Sequence, residues 1–209
     1  MGLDIYIRKA SKRNHEKTAR EAWDYESAAR RRSLKRFIDK VDSENSNERI
    51  DALKRQFRGF IWDHWRSDLK QCENILQLQT LVHRIFPPDE SDYWCVNYPW
   101  SMNDNFYFRK VNPVYAYCKD RGLIEDDEMA IVTQEQMTDL MKRAQKLLAM
   151  NSETAIAKGP DILPTISGCF FGSTDYDEYY YLKMVKEIER KTRFMLKHHD
   201  GSFIIDFSW

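Results

Sequence analysis

Residues 3–7 alternate as Leu3-Asp4-Ile5-Tyr6-Ile7. That period of two predicts a short β-strand with Leu3, Ile5 and Ile7 on one face. Asp4 and Tyr6 then face the other way. If that second face is also covered, Asp4 needs a partner, because burying a lone carboxylate is costly. From Glu16 to Val41 neither Pro nor Gly interrupts the chain, and Ala19, Ala22, Trp23, Ala29, Leu34, Phe37, Ile38 and Val41 form a loose helical stripe. Asp42 to Asn47 reads as a polar turn. A second helical pattern runs from Glu48 to Phe86 and stops at Pro87-Pro88. Unbroken, it would reach roughly 58 Å. Gly59 and the cluster Trp62-Asp63-His64-Trp65 are where a bend or a contact is expected. The two segments together predict an antiparallel helical hairpin over residues 16–86.

Beyond the prolines the pattern changes. Residues 89–112 are rich in Tyr, Trp, Phe and Asn and read mostly as loop with aromatic anchors. Pro113 to Asp120 fits a short helix with Pro at its start, closed by Arg121-Gly122. Met129 to Val132 suits a strand or an extended entry. Thr133, with Gln136 three residues on, predicts a capping box for a helix whose stripe is Met137, Leu140, Met141, Ala144, Leu147 and Leu148. Asn151 to Pro164 carries Gly159, Pro160 and Pro164 and reads as loop. Gly168-Cys169-Phe170-Phe171-Gly172 is a glycine-bounded apolar run, most simply a buried strand. Ser173, Thr174 or Asp175 then caps a helix reaching about His199, with Asp177 and Glu178 in its first turn. Asp200-Gly201 is a turn, and residues 203–209 form a final strand.

These elements predict an α+β fold. A small, mainly antiparallel sheet from residues 3–8, 167–172 and 202–208 is packed by helices and carries a long inserted helical hairpin. The expected organisation is one domain over residues 1–209. Residues 16–86 are its hairpin elaboration, and residues 1–9 with 87–209 are its core. Whether the hairpin folds back or projects is open at this point.

Composition adds one thing the pattern hides. The 209 residues hold 33 Lys+Arg and 33 Asp+Glu, a net charge of zero, which excludes a globally basic coat or an acidic tail. Divided at Phe86, however, residues 1–86 hold 19 basic and 13 acidic side chains, and residues 87–209 hold 14 and 20. Arg30, Arg31, Arg32, Lys35 and Arg36 crowd one helix, a candidate footprint for nucleic acid or an acidic partner. The bland alternative is a solvated helix face. No helix-turn-helix, zinc-finger or RNA-recognition signature accompanies it. No run of about 18 apolar residues predicts a membrane span. Asp4 precedes the basic residues, against the order of a signal peptide. Cys72, Cys95, Cys118 and Cys169 are scattered without metal or disulfide spacing, as reduced thiols of a cytoplasmic protein would be.

The candidate chemistry concentrates between Ser173 and Tyr180. Ser173, Thr174 and nearby backbone N–H groups can hold an anion at a helix N-terminus. Asp175, Asp177 and Glu178 could instead hold a hard cation such as Mg²⁺, with water completing its shell, but the expectation is no metal site and no cofactor. Alternatively, the acids simply cap the helix and the tyrosines, Tyr180 among them, pack beside the sheet. Arg109 and Lys110 are the counter-charges, and Asp4, Arg109 and the pair Asp175/Asp177 can share one polar centre. His64 with Asp63 and Asp68, and His198-His199-Asp200, lack metal-site spacing and read as helix surface and helix end.

Three stretches also occur together: Met1-Gly2-Leu3-Asp4, then Phe108-Arg109-Lys110-Val111-Asn112, then Leu163-Pro164-Thr165-Ile166-Ser167-Gly168-Cys169-Phe170-Phe171-Gly172-Ser173-Thr174-Asp175-Tyr176-Asp177-Glu178-Tyr179-Tyr180. With the Ser208-Trp209 end, the chain resembles a family of small uncharacterised proteins of bacteriophages and bacterial genomes, over residues 1–9 and about 106–209. Cys169 stands where that family more usually has Phe. The resemblance implies a phage-related protein in the cytoplasm of a bacterial host, and no established activity. The expected function is therefore non-enzymatic binding or interaction, through a protein partner or self-association. Trp94, Tyr98, Trp100, Phe106 and Tyr107 are offered as contact surface or as aromatic core. The competing classes are a metal- or phosphate-dependent enzyme centred on Asp175, Asp177 and Arg109, and nucleic-acid binding by residues 30–36.

Overall fold

The computed structural model describes residues 2–10, 17–61, 65–87, 106–125, 128–168 and 171–208. In chain order its elements are β1 (Asp4–Lys9), α1 (Ala19–Asp42), a 3-10 turn (Asn47–Arg49), α2 (Ile50–Phe57), α3 (Arg66–Gln71), α4 (Ile75–Ile85), β2 (Tyr107–Arg109), α5 (Asn112–Asp120), β3 (Met129–Val132), α6 (Gln134–Leu148), α7 (Ser152–Ile162), α8 (Tyr181–His198) and β4 (Phe203–Ser208). The fold is α+β, and the chain forms two compact units, residues 1–23 with 104–209 and residues 24–103.

The first unit is built on a four-stranded antiparallel sheet in the order β2-β1-β4-β3. The alternation read at residues 3–7 is realised: Leu3, Ile5 and Ile7 are buried. Across the sheet Ile5 lies opposite Phe108 and Phe207, and Ile7 opposite Ile205. These apolar residues share one face. Helices α5 and α8 reach that face, Tyr115 stacking edge-on to Phe207 at 5.0 Å and Lys191 lying 5.0 Å from the Phe108 ring. The other face carries Asp4, Tyr6 and Arg8. Arg8 is 1% exposed, yet its guanidinium sits 3.5 Å above the Trp23 ring and donates to the Trp23 carbonyl at 3.1 Å. A cation over indole, hydrogen-bonded as well, offsets much of the cost of burying the charge. The start of α1 is held by a capping box between Thr18 and Glu21, and Glu125 accepts from the Ala19 N–H at 2.9 Å.

Three predicted elements are corrected. Gly168, Phe171 and Gly172, the described residues of the run Gly168–Gly172, belong to no strand of the sheet. The Phe171 N–H returns to the Gly168 carbonyl at 3.2 Å, the Phe171 ring occupies the space where a Cβ on residue 168 would lie, and Gly172 has φ +96°. The sheet places left open are filled by β2 and β3. Residues 152–162, read as loop, are helical: Asn151 caps the helix by accepting from the Thr154 N–H, and Pro160 sits near its end, where few bonds are lost. Gly159 is there because the Tyr176 and Tyr181 rings leave no room for a Cβ, with 2.7 and 2.8 Å to the nearest ring atoms.

In the second unit the long pattern 48–86 is three helices rather than one. The chain leaves helix after Phe57, past Gly59 as expected, and again at Cys72–Asn74. At the second break Asn74 caps α4, and Asn47 accepts from the Ile75 N–H at 2.8 Å. The unit buries its own core around Phe37, Phe57 and Phe86, with the Phe37 and Phe57 rings stacked at 5.3 Å and Phe57 edge-on to Phe86 at 6.1 Å. No described helix is long and apolar enough to cross a membrane.

In the first unit one ionic cluster ties three helices together. Asp139 on α6 accepts from Arg121 at 2.8 Å, Arg143 at 3.0 Å and Tyr117 at 3.1 Å, and Arg143 also reaches the Ile162 carbonyl at the end of α7. Burial pushes the Asp139 carboxyl up, but the hydrogen bonds of Arg143 and Tyr117 and the charges of Arg143 and Arg121 outweigh it and hold the carboxyl below its ordinary value. A carboxyl depressed in the folded state stabilises the fold above its unfolded pKa and loses that contribution as pH falls through the folded value. Asp139→Asn is therefore expected to cost about 1 kcal/mol at pH 7, since the cluster is partly solvent-screened. In urea titrations from pH 7 to pH 2, the gap between parent and variant should close only below about pH 4.

Candidate functional site

The antiparallel register sets Asp4 opposite Arg109. The Asp4 carboxylate accepts from the Tyr107 hydroxyl, so the partner that it required is a phenol. Burial, and then the bond to Asp4, push the Tyr107 hydroxyl well above the usual phenol range, which keeps it a donor. The backbone then turns sharply at Lys110, which has φ +56°, a left-handed conformation uncommon for a residue with a side chain. The Lys110 N–H bonds to the Leu3 carbonyl at 2.7 Å, fixing the turn to the sheet.

Against this turn lies the segment after Gly172. A Cβ at Gly172 would come within 3.1 Å of the Lys110 Cβ and 3.2 Å of its carbonyl oxygen, so the two chains meet where only glycine fits. The fully buried Asn112 donates from Nδ2 to the Ser173 carbonyl at 2.9 Å and fastens the second chain to the start of α5. Thr174 is bound from outside, its carbonyl accepting from the Thr165 hydroxyl at 2.9 Å.

Between these segments and the first turns of α8 opens a cleft of about 570 Å³. It gathers Arg109, Lys110, Ser173, Asp175 and Tyr180 from the sequence-derived candidates and adds Lys183 and Glu187. Its two acids are already engaged. Asp175 accepts from the Ser173 hydroxyl at 3.1 Å, and Glu187 pairs with Lys191 at 2.6 Å. Among the described residues no carboxylate lies within ion-pair distance of Arg109, Lys110 or Lys183. Three cations therefore share one concavity, none in ion-pair contact with a carboxylate among the described residues.

The remaining candidates lie elsewhere. Asp4 is on β1, opposite Arg109, and is not part of the cleft lining. Asp177 is turned to the backbone, accepting from the Tyr180 and Tyr181 N–H groups; the N-cap position of α8 is Tyr180, not Ser173, Thr174 or Asp175, and the helix begins four residues after Asp177. Of the basic stretch, Arg30 donates to the Gly59 carbonyl and lies 5.0 Å from the Phe60 ring, within the core of the second unit, and Arg31 is half-buried. Arg32, Lys35 and Arg36 are exposed, at helical spacing on α1. His198 stacks on Phe194 at 4.3 Å, while its carbonyl accepts from Lys9 at 2.7 Å, so that corner is a helix end. Asp68 pairs with Arg84. His64, Asp63, Trp94, Tyr98 and Trp100 fall outside the described residues, as do Cys95 and Cys169. Phe106 is buried against Phe194 and belongs to the core. Cys72 and Cys118 are buried free thiols, and burial pushes the Cys118 thiol up to about 12. Among the described residues no group of three or more His, Cys, Asp or Glu is arranged to hold a metal ion.

Lys183 is the cleft residue that sequence reasoning missed. A lysine in an amphipathic helix looks like solvated surface. Its place three residues after Tyr180, on the same helical side, is the signal that would have found it. No family model matches the sequence, and neither a curated protein nor a solved structure does.

Left-handed backbone at a lysine is a cost held in place for a purpose or by its surroundings. Lys110→Gly removes that strain and is expected to stabilise the protein by up to about 1 kcal/mol, the relief being partly offset by glycine's greater unfolded entropy. Gly172→Ala meets both the positive φ and the close approach of Lys110, and should cost about 1–3 kcal/mol. Thermal unfolding of both variants checks the pair of opposite signs.

Proposed function

We propose that the chain is a non-enzymatic binding protein whose cleft receives an anionic ligand. The observation that carries this reading is the set of Arg109, Lys110 and Lys183, brought to one cleft from two segments distant in sequence and left without carboxylate partners among the described residues. A bound phosphate or carboxylate supplies the missing counter-charge, and charge-assisted hydrogen bonds are the strong ones. The Ser173 and Tyr180 hydroxyls offer neutral donors beside them. Asp177 bonds the backbone N–H groups at the entry to α8, and Asp175 holds the Ser173 hydroxyl, so the carboxylates orient the wall of the cleft rather than act on a substrate. In the phage-related family that the sequence resembles, such a protein would act in the host cytoplasm by capturing a ligand or an acidic group of a partner.

The charge distribution also favours a local site. Residues 24–103 carry 13 basic and 13 acidic side chains, and residues 1–23 with 104–209 carry 20 and 20. The imbalance seen on dividing the chain at Phe86 vanishes when the division follows the structure. Neither unit has the excess charge that attracts a polyanion at long range.

Isothermal titration of the full chain with pyrophosphate at low ionic strength tests the reading. Binding is expected at one site. Lys183→Gln should weaken it by about tenfold, the worth of one charge-assisted hydrogen bond, without lowering thermal stability, because that side chain makes no ion pair among the described residues. Titrations that release no heat with pyrophosphate, citrate and sulfate alike would remove the proposal.

A further inference from the structure

Beside the cleft lies a second depression of about 480 Å³, formed by Glu178, Tyr179, Lys183 and Lys186. Lys183 lines both. Here too the acid is engaged, Glu178 accepting from the Ser152 hydroxyl at 3.1 Å, and Lys186 has no ion pair among the described residues. Tyr179 is 70% exposed and Tyr180 54%, and their rings meet edge to face at 4.7 Å. An edge-to-face pair leaves ring surface open for a further flat partner. Tyr179 thus lies exposed beside Lys183 and Lys186, and Tyr180 beside Arg109, Lys110 and Lys183, cations that make no ion pair among the described residues.

We propose that the two depressions form one nucleotide site, with the phosphate held among Arg109, Lys110 and Lys183 and the base laid on the exposed ring of Tyr179. This rests on the anion-binding reading and specifies its ligand class. Cations alone would accept any small anion. The exposed aromatic pair adjoining them selects an anion that carries a flat ring, because stacking covers ring surface that is otherwise left in contact with water. Lys183 stands where the sugar would join the two parts and can serve the phosphate from the side nearer the base. The ligand is a free nucleotide rather than a strand, since the unit that holds the site has no net charge to draw a polyanion.

Isothermal titration of the full chain with pyrophosphate, ribose 5-phosphate, AMP and a six-residue oligothymidylate separates the possibilities. AMP is expected to bind about tenfold more tightly than ribose 5-phosphate, a factor within the range of one base–aromatic stack. Tyr179→Ala should erase that difference and leave ribose 5-phosphate unchanged, and the exposed position keeps the variant folded. Lys183→Gln should weaken both ligands. Equal affinity for AMP and ribose 5-phosphate overturns the nucleotide site while leaving the anion cleft standing. Failure of every ligand, pyrophosphate included, overturns both. An oligothymidylate that binds more tightly than AMP, with a steep salt dependence, also overturns it in favour of single-stranded nucleic acid.

Discussion

Strand β1 pairs along its whole length with β4, from Asp4 opposite Ser208 to Lys9 opposite Phe203. Everything in the first unit depends on that ladder. It places Ile5 and Ile7 at the centre of the apolar face and leaves the far side of β1 for the three residues of β2. Such a short edge strand has little stability alone. It is held by the ladder beside it and by Lys191, buried on α8, whose ammonium closes on the Tyr107 carbonyl. The same lysine pairs with Glu187 and so removes one acid from the balance of the cleft. Sheet pairing, edge closure and site electrostatics are thus joined through one side chain.

Much of this was legible where local chemistry decides local structure. Thr133 and Gln136 form both halves of the expected capping box. Gly122 takes φ +61° at the end of α5, as a glycine after a helix should. Residues 3–7 declared their two faces by alternation. Several of the failures share a different cause, a distant residue that set the geometry. Tyr107 to Arg109 is too short to show a period and becomes a strand because β1 lies beside it. Gly159 and Pro160 argued for a loop between Asn151 and Pro164, but the glycine serves the rings of Tyr176 and Tyr181 inside a helix. The bond from Ala19 to Glu125 spans 106 residues and leaves no local trace.

The site shows the same division. Arg109, Lys110, Ser173, Asp175 and Tyr180 were recognisable as a set of charged and hydroxyl residues in two motifs. That Asp177 faces its own helix, whereas Asp175 faces the cleft, follows from a turn of backbone that residue types do not specify. The basic stretch at residues 30–36 likewise looked uniform in sequence. In three dimensions Arg30 spends its charge on a carbonyl and an aromatic ring, which leaves a smaller exposed set of Arg32, Lys35 and Arg36.

The ladder between β1 and β4 also imposes an order in time. Lys9 and Phe203 are about 190 residues apart, a stretch that a ribosome takes roughly 10–40 s to make. Throughout that interval the edge of β1 that β4 will cover stays open, and β2 closes only the opposite edge once residues 107–109 have been made. The helical unit between them, whose core is assembled from residues 34–86, can fold while synthesis continues. A nascent chain therefore carries a finished domain flanked by an unsatisfied strand. That open edge is a place where a chaperone or a second nascent copy can pair.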